Sequence, residues 1–125
     1  MLFRPNRSSL MAALFVCSAL LPVQQASAHA HLIEQAPVEN STVPTPSQLQ
    51  LTFSEGIEMN FSQIVLNDAR GQIVPTSNPV VATQDKTHIV IPLTTTLSSG
   101  EYRVTWRVVS VDGHKTQGAY AFRVQ

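Results

Sequence analysis

Between residues 101 and 111 the chain reads EYRVTWRVVSV, with apolar and polar side chains alternating almost one for one. Tyr102, Val104, Trp106 and Val108 fall on one face of an extended backbone, Arg103, Thr105 and Arg107 on the other. A period of two marks a half-buried β-strand, because successive side chains leave opposite faces of the pleat. Wound into a helix, the same residues would scatter round the cylinder and bury nothing. The pattern recurs. QLQLTFS (48–54) alternates Leu49, Leu51 and Phe53 with polar residues, and GAYAFRVQ (118–125) sets Tyr120, Phe122 and Val124 opposite Ala119, Ala121 and Arg123. SQIVLND (62–68) and THIVIPL (87–93) are shorter β-branched runs. APVENSTVPTPS, NDARGQ, TSNP and SSG supply the turns between them. EGIEMN (55–60) has room for one helical turn at most. About seven antiparallel strands, with turns about every 8–12 residues, predict an all-β, immunoglobulin-like sandwich. LSSGEYRVTW resembles the entry to a tyrosine corner, so Tyr102 and Trp106 are expected in the core.

The chain start obeys different rules. Arg4 and Arg7 precede the apolar run SLMAALFVCSALLPV, and Ala26-Ser27-Ala28 gives the small-x-small pattern at which a signal peptidase cuts. The run is shorter than the roughly 20 residues a membrane span needs. Residues 1–28 are therefore expected to be a removed secretory signal that takes Cys17 with it, and residues 29–125 a single domain of 97 residues. A cut after Ala30 also fits the rule and would start the chain at His31. From His29 onward six basic side chains face eight acidic ones, a net charge of −2, without the basic stripe that nucleic-acid binding requires. No cysteine remains, so a packed core rather than disulfides must hold the domain together.

Chemistry then rests on four histidines. His88 lies inside a predicted strand and reads as an ordinary surface or core side chain. His114 sits in the loop SVDGHKTQG (110–118), two residues after Asp112. A tight turn accounts for Asp112-Gly113 but not for the histidine. The expected cut changes its meaning. A histidine in first position offers both its α-amine and its Nδ1 to one metal ion. His29 would supply two nitrogens, His114 a third, and Asp112 an oxygen. Such a mixed set in tetragonal array suits Cu(II), whereas zinc prefers a tetrahedron. Cu(I) would want soft sulfur ligands, and Met59 is the one sulfur left after the cut.

These residues resemble the CopC family of periplasmic copper-binding proteins. The likeness covers residues 29–125 and is carried by the HAHL start, PVENS in the first loop, LTFSEGIE, LSSGEYRVTWRVVSVDGHKTQG and the closing YAFRV. It implies a Greek-key β-sandwich or barrel, in agreement with the alternation. It also implies His29 as the first-position ligand, Asp112 and His114 as loop ligands, and Glu55 as an acidic residue beside the copper. The methionine-rich Cu(I) loop of some members has no counterpart in NPVVATQDKTH (78–88). The expected protein is a monomeric periplasmic Cu(II) buffer or carrier in copper homeostasis and resistance, not an enzyme. Its partners would be the copper ion and an inner-membrane copper transporter of the CopD type. The alternative is a copper-dependent oxidative enzyme using the same N-terminal histidine chelate. Against it stand a single Trp, no flat aromatic platform, and Glu55 or Asp112 in the position oxygen would need.

Overall fold

The structure, a computed structural model, describes Leu2 and residues 29–125. Apart from Leu2, the expected signal segment, with Cys17, lies outside the described residues. The described chain is a sandwich of two sheets. One is four-stranded, in the order β1 (Leu32–Ala36), β3 (Gln48–Phe53), β7 (His88–Pro92), β6 (Val80–Val81). The other is five-stranded, in the order β2 (Thr42–Val43), β9 (Lys115–Val124), β8 (Gly100–Val109), β4 (Gln63–Asn67), β5 (Ile73–Val74).

The alternation is realised as expected. Leu49, Leu51 and Phe53 of β3, with Ile89 and Ile91 of β7, face Val104, Trp106 and Val108 of β8 and Tyr120 and Phe122 of β9. Each such side chain, fully buried, is worth about 1.5–3 kcal/mol, and the ring of Trp106 meets Phe53 edge-on at 5.3 Å. Two details differ from the sequence reading. Among the described residues nine strands form rather than about seven, because the Pro- and Ser-rich stretches still contribute two-residue strands at sheet edges. One of these, β2, runs parallel to β9, with Thr42 beside Arg123 and Val43 beside Val124. A 3-10 turn forms at Met59–Phe61, overlapping only the end of the 55–60 stretch where the sequence has room for one turn.

β8 and β9 pair over ten residues, from Gly100 opposite Val124 to Val109 opposite Lys115. Within this ladder Gly118 lies opposite Trp106, and a methyl group at Gly118 would overlap the indole. The strand glycine is thus a space for the largest core side chain.

Two buried tyrosines differ in how their hydroxyls are satisfied. Tyr102 donates to the Ser98 carbonyl at 2.8 Å, the tyrosine corner anticipated from LSSGEY. The Tyr120 hydroxyl has no hydrogen-bond partner among the described residues, and burial pushes its ionisation upward. A hydroxyl removed from water without a partner costs stability, whereas a bonded one adds about 1 kcal/mol. Urea unfolding should therefore separate the two. Tyr102→Phe should lose about 1 kcal/mol, and Tyr120→Phe should lose nothing or gain up to about 1 kcal/mol. Equal losses would mean that the Tyr120 hydroxyl is bonded after all.

Candidate metal centre

The loop that joins β8 to β9 is built on Ser110. Its side chain continues the inward register of Tyr102, Trp106 and Val108 and is 1% exposed. Its N–H donates to the His114 carbonyl at 2.9 Å, and its carbonyl accepts from Gly113 N–H at 2.8 Å. Gly113 closes the turn with φ at +89°, a conformation that side chains disfavour. On this frame the Ser110 hydroxyl donates to Asp112 Oδ1 in a short hydrogen bond. His114 Nδ1 stands 3.0 Å from the same oxygen. A carboxylate can only accept, so Nδ1 carries the proton, and Nε2 of the neutral ring is left with its lone pair.

These contacts fix the charge of the loop. The Ser110 hydroxyl first, and the His114 ring second, hold the Asp112 carboxyl down at about 2. Because the value is depressed, this stabilisation is present above the ordinary 3.8 and is lost as pH falls to about 2. At neutral pH the loop presents a fixed negative charge.

The chain start is brought to this loop by its backbone. Ala30 is buried in the core, and its carbonyl accepts from Thr116 Oγ1 at 3.0 Å. His31 donates its N–H to Ser54 Oγ at 2.8 Å and accepts Ser54 N–H at 2.8 Å. The residues just ahead of β1 are thus tied to the start of β9 on one side and the end of β3 on the other. His29 is carried against the loop as a result, its ring centroid 5.1 Å from that of His114.

Of the four residues expected at a metal site, three are neighbours in a row: the His29 ring lies beside that of His114, and His114 Nδ1 lies beside Asp112. Glu55 is brought towards them only through its backbone neighbours. It sits between Ser54, which anchors His31, and Gly56, whose carbonyl accepts Val111 N–H at 2.9 Å. Among the described residues, no hydrogen bond or ion pair joins its carboxylate to the other three. His88 stands apart, within 2.8 Å of Thr52 Oγ1 on the four-stranded sheet. No group of three or more His, Cys, Asp or Glu side chains that could hold a metal occurs among the described residues. As placed, His29, His114 and Asp112 do not close into such a group: Asp112 Oδ1 is taken by Ser110 and His114, and in the uncut chain the His29 nitrogen is a peptide nitrogen.

Sequence reasoning missed Ser54, Ser110 and Thr116. Ser110 carried a signal: a hydroxyl on the inward register of an apolar strand has to find a partner, and Asp112 is two residues on. Ser54 and Thr116 carried none, since each acts on main chain brought near only by the fold.

Comparison with known proteins places the chain. Residues 32–125 match the CopC domain family. Protein YobA of Escherichia coli K12 is 39% identical over 118 residues, covering 94% of this chain and 95% of the relative. Among solved structures, PcoC, described as a methionine-rich copper resistance protein from Escherichia coli, is 34% identical with a TM-score of 0.68, covering 78% of this chain and 100% of that one. CopC from Methylosinus trichosporium OB3b is 28% identical with a TM-score of 0.72, covering 78% of this chain and 94% of that one.

The Ser110 contact has a measurable consequence. In Ser110→Ala, the Asp112 carboxyl should titrate higher, moving from about 2 towards 3.8, as followed by carbon-detected NMR. An unchanged titration would mean that the hydroxyl does not hold the carboxylate. With its two sheets, its loop and its match across residues 32–125, the chain belongs to the CopC domain family.

Proposed function

We propose that this protein is exported, is cut after Ala28, and binds one Cu(II) ion as a buffer or carrier in copper homeostasis and resistance. The observation that carries the proposal is the approach of His29 to His114, whose Nδ1 is held by an ionised Asp112, on a chain whose PcoC relative is described as a copper resistance protein. The donor set fits copper as cargo. Two imidazoles and a carboxylate are the borderline ligands that the oxidised ion accepts. The third nitrogen is the amine that cleavage would free on His29. Asp112 then has two parts. Through Oδ1 it holds His114 in the tautomer that turns Nε2 to the ion, the arrangement by which carboxylates commonly orient metal-binding histidines. Its remaining oxygen and its charge offset the charge of the cation. Glu55, whose neighbours Ser54 and Gly56 bond to His31 and Val111, adds a second negative group.

Preference for Cu(II) over Cu(I) is supported by sulfur. PcoC is described as methionine-rich. Here the one methionine from His29 onward, Met59, packs against the core. An exported, periplasmic protein with an open cation site is suited to pass copper to an inner-membrane transporter of the CopD type, and it needs no second copy of itself to complete the site. The rival reading, an oxidative copper enzyme, draws nothing from relatives described by resistance rather than catalysis.

Electron paramagnetic resonance of the copper-loaded mature protein should show couplings to several nitrogens, and Cu(II) should bind far more tightly than Zn(II). His114→Ala should weaken binding more than Asp112→Ala does, and His88→Ala should change it little. Affinity should fall as pH drops from neutral towards about 5, because the amine and imidazole nitrogens must shed protons to coordinate. Asp112, held at about 2, stays ionised throughout that window and takes no part in the fall. A spectrum without nitrogen couplings, or an affinity independent of pH, would contradict histidine ligation.

A further inference from the structure

The net charge of −2 from His29 onward hides an uneven distribution. Of the six lysines and arginines in residues 29–125, four lie on the outer face of the five-stranded sheet: Arg103 and Arg107 on β8, Lys115 and Arg123 on β9. The one acidic side chain on the same face of these two strands is Glu101, 3.6 Å from Arg123. Among the described residues no ion pair engages Arg103, Arg107 or Lys115, and all three are exposed. The outer face of the opposite sheet, along β3 and β7, has no lysine or arginine. The protein is therefore polarised, with a basic side on an acidic molecule.

Two further observations say what such a face suits. Arg103 and Arg107 are about 13 Å apart along the strand, too far for one small anion to bridge, so the cations match a charged surface. Between them lies Thr105, flanked by Ala119 on β9 and Val65 on β4, small side chains that offer no large central anchor of the kind that carries protein–protein affinity. At the margins stand two large apolar side chains that are mostly exposed, Phe61 at 76% and Ile73 at 71%. Phe61 shares with Arg107 and Lys115 a cleft of about 390 Å³ at the His114 end of the sheet, and Ile73 pairs with Asn67 at the far edge. A spread of cations with a few exposed apolar side chains at its border is the pattern of a peripheral membrane surface.

We infer that the outer face of the five-stranded sheet adsorbs to an anionic phospholipid bilayer, bringing the His29–His114 loop to the membrane surface. The cations bind headgroup phosphates, and Phe61 enters the interfacial zone. Adsorption of this kind is weak, reversible and screened by salt. It rests on the cations of this face with Phe61 and Ile73, none of which is a proposed copper ligand, so it stands or falls separately from the copper proposal.

The test is co-sedimentation of the exported protein with vesicles of pure phosphatidylglycerol and, in parallel, of pure phosphatidylcholine, at low and at high salt. The expected result is binding to phosphatidylglycerol that is lost in high salt, with little binding to phosphatidylcholine. Each cation contributes about fivefold to partition, so the double variant Arg103→Gln/Arg107→Gln should bind phosphatidylglycerol about 25-fold less while folding normally and titrating Cu(II) as before. Phe61→Ser should lower partition without altering the salt dependence. Equal binding to both lipids, or undiminished binding by the double variant, would overturn the inference. Binding to a polyglutamate peptide without preference for phosphatidylglycerol vesicles would overturn it as well, and would assign the face to an acidic protein.

Discussion

The ten-residue pairing of β8 with β9 is the constraint on which everything else here depends. Its inner side supplies Tyr102, Val104, Trp106, Val108, Tyr120 and Phe122, more of the core than any other strand pair gives. Its outer side carries the basic face. Its closed end is the Ser110–His114 loop. A slip of one residue in this register would turn every one of these side chains to the opposite side. Gly118 helps to forbid the slip, because only a residue without a side chain fits opposite Trp106.

The proposed copper site borrows its order from that ladder. Ser110 is held by the core below it, Asp112 by Ser110, and His114 by Asp112. On the other side, Ala30 is buried and His31 is bonded to Ser54, so His29 reaches the loop from a fixed point only one residue away. Neither histidine needs to be buried to be placed. Both remain on the surface, which suits an ion that has to enter and leave.

Much of this was legible in the residues. Alternation told inside from outside in β3, β8 and β9, since those strands are long and each has one wet face. The motif LSSGEY foretold the Tyr102 bond. The short edge strands β2, β5 and β6 could not be read, because two residues carry no period. The parallel course of β2 along β9 depends on a long-range contact that leaves no local trace. Asp112 and His114 were visible as a pair, but the buried hydroxyl that charges and aims them was hidden inside a strand pattern. The basic face was hidden too, because its four cations are spread over twenty-one positions of sequence and gather only when β8 and β9 pair.

The central claim is that removal of the first 28 residues makes the copper ligand by freeing the amine of His29. The direct measurement is a competitive Cu(II) titration of two chains, one beginning at His29 and one carrying a single glycine ahead of it. The extension turns the amine into an amide and breaks the chelate, while the sandwich and the loop stay as they are. Affinity should fall at least about tenfold, the equivalent of about 1.4 kcal/mol of lost ligation, and far more than in His31→Ala. Equal affinities for the two chains would contradict the claim and leave the loop as the sole copper ligand.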